Sequence, residues 1–434
     1  MVCPHYIHVL CKFLEIIGYL NEFRFKRNWL NLLKKIYFIW FHCIHTTALI
    51  SQLISTCTRS IRYVPEFLSR LLESFALYLF YLECLFILFQ FKQLQGLMKF
   101  IENSFSTADE CVLKRCNQRA RKMATTFLIL LAVGLSGSFL ETYFPLSQKE
   151  MDLIRYVYKR KYPERRFQTN FWIPFVDDSE FWCYEIIIHF ELYWTITTLL
   201  MAVTSVCYIP MFANYIEGQY IILGKYIEKI GHIHRDKKGH RIFYTNIIKK
   251  KVMYVGADNE LRHRFKFKSM QEIEDIYQQN YCRQIIQFHQ MIIRFQEQLF
   301  KLYRPYMMMK VVMNNVMFAL CMYQVSTNPT DTSHTRFYKL VTELVGVVVQ
   351  FYYFCYCSER LDDCNAQLRR SFSKVAWYSC SPHIRRSLIM LLRRVRGSNH
   401  MKLLLNFVVI GNGYFLTVVK FSYTFVNYMR LKSK

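Results

Sequence analysis

The sequence predicts an all-α fold, a seven-transmembrane helix bundle, and three observations support this prediction. The 434-residue chain is 53% hydrophobic, and its apolar residues come in blocks of about 20 residues, the length a helix needs to cross a bilayer. Mean hydropathy is only +0.08, because basic loops separate the blocks. The formal net charge of +26 lies mostly in those loops, whereas a nucleic-acid-binding protein would carry it on a soluble domain.

Hydropathy windows give seven candidate spans, at residues 36–56, 71–91, 123–143, 184–210, 306–325, 340–357 and 403–429. Charges interrupt residues 1–35, which lack a signal-peptide cleavage site and are predicted to form a cytoplasmic, interfacial amphipathic segment. Helical pattern continues past the fourth span and precedes the fifth, so we expect both helices to extend beyond the membrane on the loop side.

Positive charge sets the expected orientation, because cytoplasmic loops are enriched in Lys and Arg. The N-terminus and the loops after spans two, four and six hold 40 of the 57 Lys and Arg residues, and the opposite side holds 15. We therefore expect a cytoplasmic N-terminus and an extracellular C-terminus, the reverse of a G-protein-coupled receptor. The predicted regions are 1–35, spans one to four in 36–215, a cytoplasmic loop with helix extensions in 216–304, spans five and six in 305–358, a cytoplasmic helix in 359–402, and span seven with the C-terminus in 403–434.

The sequence offers little support for catalysis or metal binding. His42 and His45 have ligand spacing on one helical face, but no third ligand lies near them in the sequence. Charges inside spans are costly and are candidates for function or for pairing within the bundle. These charges are scattered rather than gathered at one membrane depth, so we predict neither an enzyme nor a bound cofactor. The intramembrane charges are Glu73, Glu83, Glu141, Glu185, Glu191, Lys310, Glu343 and Lys420.

Aromatic and small residues in the outer halves of several spans suggest a ligand pocket. Such a lining suits a small apolar molecule with one hydrogen-bonding group, although each residue by itself is also compatible with ordinary helix packing. The candidate ligand-binding residues are Phe75, Tyr78, Leu79, Gly137, Ser138, Tyr193, Trp194, Thr197, Leu344 and Val347.

The last span is polar for a helix that faces lipid, with residues such as Asn406, Asn412 and Ser422. Polar side chains inside a bilayer face protein or water. Five residues fall at helical intervals and would form a stripe down one face, as a pore-lining helix requires, and interhelical hydrogen bonding is the alternative. The stripe is Thr417, Thr424, Asn427, Tyr428 and Leu431.

The last 90 or so residues resemble the C-terminal part of insect odorant receptors. The similarity lies in the order FYYFCYCSERLDDCNAQL, SFSKVAWY, IRRSLIMLLRR and GYFLTVVKFSYTFVNYMR. Ser358 stands where family members commonly have glycine. The residues that match the family pattern are Ser358, Glu359, Trp377, Tyr378, Arg385, Arg386, Lys420, Ser422, Tyr423 and Thr424.

The resemblance implies an odour-binding subunit that forms a heterotetramer with the odorant co-receptor in the plasma membrane of sensory neurons. Such an assembly is a ligand-gated, non-selective cation channel with a small volatile ligand bound between spans two to six. The resemblance also implies a cytoplasmic anchor holding Trp377, Tyr378, Arg385 and Arg386. It places Asn427, Tyr428 and Leu431 at the gate of the pore, and Thr424 of the stripe is predicted to line the same pore. A gustatory receptor of the same superfamily and a polytopic transporter or enzyme are the alternatives.

Overall fold

The computed structural model describes residues 5–21, 26–144, 148–174, 176–254, 270–327, 334–403 and 407–433. The described chain is mainly helical, with two small antiparallel hairpins, β1–β2 and β3–β4. Its helices are α1 (His5–Ile16), α2 (Asn28–Thr58), α3 (Val64–Phe89), α4 (Phe91–Ser104), α5 (Glu110–Tyr143), α6 (Gln148–Tyr158), α7 (Phe181–Ile227), α8 (Met270–Thr327), α9 (His334–Ser373), α10 (Pro382–Val395) and α11 (Asn412–Ser433). Its strands are β1 (Ile242–Asn246), β2 (Lys251–Tyr254), β3 (Lys402–Leu403) and β4 (Val408–Val409).

Five of the described helices are long and apolar enough to cross a membrane, namely α2, α3, α5, α7 and α9. The predicted fifth and seventh spans lie in α8 and α11. Polar residues interrupt these two helices and make them less apolar than the other five. In α8 these polar residues are buried, with Lys310 2% and Asn314 1% exposed. They therefore face protein instead of lipid, which is the condition for polar side chains at membrane depth.

The helix α7 forms the centre of the bundle. In its most apolar window 83% of the residues are buried, against 22–39% in the other four apolar helices. It packs against α3, α5, α8 and α9. A helix that is hydrophobic all round is expected to be buried by its neighbours on every side. The position of α7 therefore follows from its composition.

The N-terminal segment forms the predicted amphipathic helix, α1. Its apolar face is buried against α7 and α5, with Ile7 and Leu14 fully buried. The Cys11 Sγ atom lies 2.9 Å from the Tyr208 hydroxyl of α7. The apolar face of α1 thus packs on protein, whereas the sequence suggested an interfacial helix.

The helix of the predicted seventh span, α11, begins later than predicted. Residues 402–403 and 408–409 pair as the hairpin β3–β4, and α11 starts only at Asn412. The short apolar run before Gly411 fits a strand as well as a helix, so hydropathy placed the start of the span too early. Asn406, which the prediction included in the span, lies outside the described residues.

The buried intramembrane charge Lys310 has a carboxylate partner. The Lys310 ammonium lies 3.3 Å from the Glu83 carboxylate and donates a hydrogen bond of 3.0 Å to the Tyr306 hydroxyl. Glu343 of α9 is half-buried at a cavity, while Lys420 lies on the exposed face of α11. The Glu141 side chain lies outside the described residues.

The end of the bundle that holds β1–β2, α10 and the adjoining parts of α7, α8 and α9 is called the anchor end here. Its core includes one face of α8, where Tyr281, Ile285, Phe288 and Ile292 are buried at intervals of three and four residues. Helix α10 begins with proline at its first position and also buries one face. The buried residues of α10 are Ile384, Leu388, Leu391 and Val395.

Candidate ligand-binding site

A cavity of about 170 Å³ lies between α3, α5, α7, α8 and α9, beneath the loop that joins α6 to α7. It is called the bundle cavity here. Side chains from all five helices reach it, and most of its lining is apolar. Representative apolar lining residues are Leu72, Phe80, Leu131, Trp194, Met317 and Val347.

Two glycines leave space for this cavity. A Cβ atom built at Gly134 of α5 or at Gly346 of α9 would meet no atom within 4 Å. At Gly137, about one turn further along α5, a Cβ would lie 3.4 Å from the Tyr338 ring of α9. The small residues therefore have two roles, since Gly137 allows close packing of α5 on α9 and the other two open into the cavity.

A buried ion pair forms part of the cavity wall. The Lys339 ammonium of α9 lies 2.5 Å from the Glu73 carboxylate of α3, and Lys339 is 4% exposed. Arg70 donates a further hydrogen bond of 2.8 Å to Glu73. Because a buried charge requires a partner, Lys339 and Arg70 compensate the charge of the Glu73 carboxylate at the cavity.

The loop between α6 and α7 closes one side of the cavity and is held by Glu191. The Glu191 carboxylate accepts hydrogen bonds from the backbone N–H groups of Gln168 and Thr169, at 3.0 and 2.8 Å, and from the Thr169 hydroxyl at 2.8 Å. The Thr195 hydroxyl donates to Gln168 Oε1 at 2.7 Å. An intramembrane carboxylate thus fixes two loop residues, Gln168 and Thr169, that line the cavity.

The same loop is anchored on its outer side by buried polar contacts. Arg160 donates hydrogen bonds of 2.8 and 3.0 Å to Asp178 and is 4% exposed. Tyr158 donates to Glu66 at 2.8 Å, and burial raises the pKa of Tyr158 above its ordinary value. Burial opposes ionisation of Asp177, but hydrogen bonds from Ser179 and Lys161 outweigh it and lower the pKa of Asp177. These groups keep a rigid loop over the bundle.

The structure brings only part of the predicted ligand-binding set to the cavity, and the assignment stays a prediction. Trp194 and Val347 line it. Tyr78 turns away, because its hydroxyl donates to the Leu49 carbonyl of α2 at 2.8 Å. Leu79 is buried in the core, and Phe75 and Leu344 are half-buried against it. The side chain of Ser138 lies outside the described residues.

Two further predicted residues face α2 instead of the cavity. The Thr197 hydroxyl lies 3.1 Å from His45 Nε2. The Tyr193 ring lies 5.9 Å from the rings of Trp40 and His45. Sequence reasoning placed Tyr193, Trp194 and Thr197 together, but consecutive helix positions point in different directions, and only Trp194 reaches the cavity.

Several cavity residues were absent from the predicted ligand-binding set. Glu73 and Glu343 were recognised only as intramembrane charges, and that signal could have placed them at a site. Gln350, two turns along α9 from Glu343, also lines the cavity. Gln168 and Thr169 come from a loop whose return over the bundle has no signal in the sequence.

His45 belongs to a buried aromatic cluster. Its Nδ1 lies 2.9 Å from the Phe41 carbonyl oxygen, and its ring stacks on Trp194 with centroids 4.7 Å apart. The neighbouring His42 contacts the Tyr81 hydroxyl at 3.3 Å. Both histidines have hydrogen-bond partners within the protein, and the described ranges contain no group of three or more metal-ligating side chains.

The helix α11 packs on α8 and α9 through one face and leaves the opposite face open. Val418, Ser422 and Val426 are buried, whereas Tyr428 is 61% and Leu431 76% exposed. The other residues of the predicted stripe lie at or near the open face, since Thr417 and Thr424 are exposed and Asn427 is half-buried. The predicted stripe therefore lies largely on the surface of the single chain.

The predicted anchor residues are also exposed. Trp377 is 61% and Tyr378 70% exposed in the turn before α10. Arg385 donates hydrogen bonds to the backbone carbonyls of Cys380 and Tyr378 at 2.8 and 3.0 Å, so it shapes that turn. Arg386 is exposed on α10.

Comparison with known proteins identifies the family. The family model "7tm Odorant receptor" matches residues 64–423, and no curated protein matches the sequence. The insect olfactory receptor OR5 from Machilis hrabei is similar in structure, with a TM-score of 0.70, 14% identity and coverage of 98% of this chain and 97% of that one. Its complex with eugenol gives a TM-score of 0.71 at 15% identity, with coverage of 99% and 98%. Because the family match spans more than half of the sequence, the chain belongs to the seven-transmembrane odorant receptor family, a family of receptors and not of enzymes.

Proposed function

We propose that this chain is the odour-binding subunit of a ligand-gated, non-selective cation channel, and that a small volatile molecule binds in the bundle cavity. The main support is the cavity itself, which has about 170 Å³ of space and a mostly apolar lining. A protein cavity of about 150 Å³ with a Leu, Ile and Phe lining binds benzene, so the space suits a small organic ligand. One similar structure holds eugenol, which agrees with this size class.

The lining also indicates which polar group the ligand would carry. Trp194 Nε1, Thr198 Oγ1 and Gln350 Nε2 belong to residues that line the cavity, and they have no hydrogen-bond partner among the described residues. Each of these groups can donate a hydrogen bond, and a buried donor without a partner costs free energy. An apolar molecule with one acceptor, such as a carbonyl or hydroxyl oxygen, would satisfy one of them.

The bundle cavity is connected to α11 by direct side-chain contacts. Gln350 of α9 lines the cavity, and the next residue, Phe351, contacts α11, with ring centroids 5.9 Å from Phe415 and 6.2 Å from Tyr414. Tyr414 also accepts a hydrogen bond of 3.0 Å from Asn315 of α8. A ligand that binds more tightly when α8 and α9 shift would therefore move α11, and it opens the pore only by that difference in affinity.

Assembly with a co-receptor would give the exposed surfaces their role. The open face of α11, with Thr424, Tyr428 and Leu431, would line the pore of a heterotetramer. Trp377 and Tyr378 would contact neighbouring subunits, since large exposed aromatics are typical interface anchors. In this arrangement the N-terminus and the anchor end lie in the cytoplasm of a sensory neuron, in agreement with the distribution of Lys and Arg.

The test fills the cavity without removing any contact. Gly346→Val places a side chain in the open space of the cavity, so we expect the odorant concentration for half-maximal current to rise at least about tenfold. The matched control is Gly96→Val, also in a helix and also with no atom within 4 Å of its new Cβ, but exposed on α4. Currents are recorded from cells that express each variant with the co-receptor, against a panel of volatiles.

Surface labelling of each variant shows that equal numbers of receptors are compared. Dose–response curves that are the same for Gly346→Val and Gly96→Val would place the ligand elsewhere. Currents that need no co-receptor would favour an independent receptor of the gustatory type.

A further inference from the structure

A second cavity lies at the anchor end, between α8, the end of α10 and the segment that leads to α11. It has a volume of about 450 Å³ and is called the basic cavity here. It meets α8 at residues 293–307, whereas the bundle cavity meets the same helix at Met317 and Cys321. The polar side chains that line it include Gln296, Lys301, Arg304, Arg394, Asn399 and Lys402.

The basic side chains of this cavity outnumber its carboxylates. Lys301, Arg304, Arg394 and Lys402 form no ion pair with a carboxylate within the described ranges, and Glu297 is the one acidic residue among the lining residues. Four cations that surround one concave space create a positive potential that a multiply charged anion would lower. Lys301, Arg304 and Arg394 are exposed to solvent and Lys402 is half-buried, but all four line the same concave space.

The wall of the cavity is fixed before any ligand arrives. Gln296, which is 4% exposed, donates a hydrogen bond of 2.9 Å to Asn399 Oδ1 and so joins α8 to the segment after α10. The Asn399 backbone N–H donates to Asp362 at 2.7 Å, and its side-chain amide donates to the Leu361 carbonyl at 3.0 Å. These bonds hold the basic side chains of both elements around one space, which lowers the entropic cost of binding.

The surroundings are those expected of a cavity at a membrane boundary. Lys301 and Arg304 directly precede the predicted fifth span, and the exposed residues Met308, Val312 and Val316 follow on one helical face at four-residue intervals. Between β3 and β4, Phe407 is 86% exposed. Apolar surface for acyl chains thus begins where the basic cavity ends.

We propose that the basic cavity binds a multiply charged phosphate group, carried by the headgroup of an anionic membrane lipid. Basic pockets beside membrane helices recognise such headgroups because each Lys or Arg near the surface attracts the phosphates. The cavity lies next to the hairpin that leads into α11, so an occupied site would brace the start of the seventh helix. This proposal depends on the membrane location of the chain and not on its odorant.

The experiment measures binding to the full chain in detergent micelles with a fluorescent dioctanoyl phosphatidylinositol 4,5-bisphosphate as the probe. Unlabelled dioctanoyl phosphatidylinositol 4,5-bisphosphate, unlabelled dioctanoyl phosphatidylcholine and free inositol 1,4,5-trisphosphate serve as competitors. The double variant Arg304→Gln with Arg394→Gln should weaken binding of the probe by about 10- to 30-fold, at roughly 1 kcal/mol for each basic residue. The matched control is Lys237→Gln with Lys238→Gln, two exposed lysines in the turn before β1.

The proposal holds if the control binds the probe within about twofold of the unaltered chain and phosphatidylcholine does not compete. An equal loss of probe affinity in both double variants would mean that the probe is attracted by the net charge of the chain alone, and it would overturn the proposed site. Competition by inositol trisphosphate as strong as that by unlabelled phosphatidylinositol 4,5-bisphosphate would overturn a lipid as the source of the phosphate. Size-exclusion profiles confirm that each variant is folded, and Arg394→Lys, which keeps the charge, should retain most of the affinity.

Discussion

The two cavities on α8 differ in how their charges are compensated. In the bundle cavity, Lys339 pairs with Glu73 at 2.5 Å, and deeper in the bundle Lys310 pairs with Glu83 at 3.3 Å. In the basic cavity, Lys301 has no carboxylate partner within the part of the chain that the structure describes. A buried charge needs a partner because it has lost its hydration. A charge at the membrane boundary is hydrated, so it is stable without a partner and remains available to bind a ligand. The contrast agrees with the two proposals, a neutral ligand in the first cavity and an anionic ligand in the second.

The largest expected effect comes from breaking a buried pair. Lys310→Met leaves the Glu83 carboxylate, which is 1% exposed, without its counter-charge, and we expect a loss of roughly 3–5 kcal/mol in the free energy of unfolding. Thermal unfolding of the purified chain in micelles measures it. The control is Lys301→Met, an exposed lysine of the same helix, which should change stability by about 0.5 kcal/mol or less. Similar losses in both variants would remove the contrast between paired and unpaired charges.

A smaller effect is expected at the loop over the bundle cavity. Glu191→Gln removes the negative charge that accepts hydrogen bonds from Gln168 and Thr169, and we expect that closure of the loop weakens by about 1–3 kcal/mol. Hydrogen exchange of the Gln168 and Thr169 amides should accelerate, while the rest of α7 stays protected. Glu185→Gln, an exposed carboxylate near the start of the same helix, is the control. Unchanged exchange in Glu191→Gln would mean that other contacts hold the loop.

The smallest effect concerns acid sensitivity of the anchor end. Burial, with a further contribution from Arg394, lowers the pKa of His289 to about 4. A histidine with a lowered pKa stabilises the fold above its ordinary pKa near 6.5, and the benefit is lost as pH falls toward 4. From pH 7.5 to 5.5 this group should therefore cost about 1 kcal/mol.

Thermal unfolding at both pH values measures this cost. His289→Gln, which cannot gain a proton, should show a smaller drop between them than the unaltered chain. An equal drop in both chains would assign the acid sensitivity to other groups.

The sequence determined the class of protein and the elements of the fold. Apolar blocks of membrane length predicted the helix bundle, and the motif order at the C-terminal end predicted the family, as the family match over residues 64–423 confirms. The physical reason is that membrane insertion depends on the summed hydropathy of consecutive residues, which the sequence states directly. Intramembrane charges such as Glu73 and Glu343 were visible for the same reason, although their location at one cavity was not.

Only the tertiary structure decided which side chains share a space. Trp194 reaches the bundle cavity and Tyr78 does not, because the rotation of each helix depends on its neighbours. Gln168 and Thr169 arrive through a loop whose course follows from hydrogen bonds to Glu191. The basic cavity likewise joins Lys301 to Lys402, which are far apart in the chain. Such contacts depend on packing over long sequence distances, and no local pattern of residues encodes them.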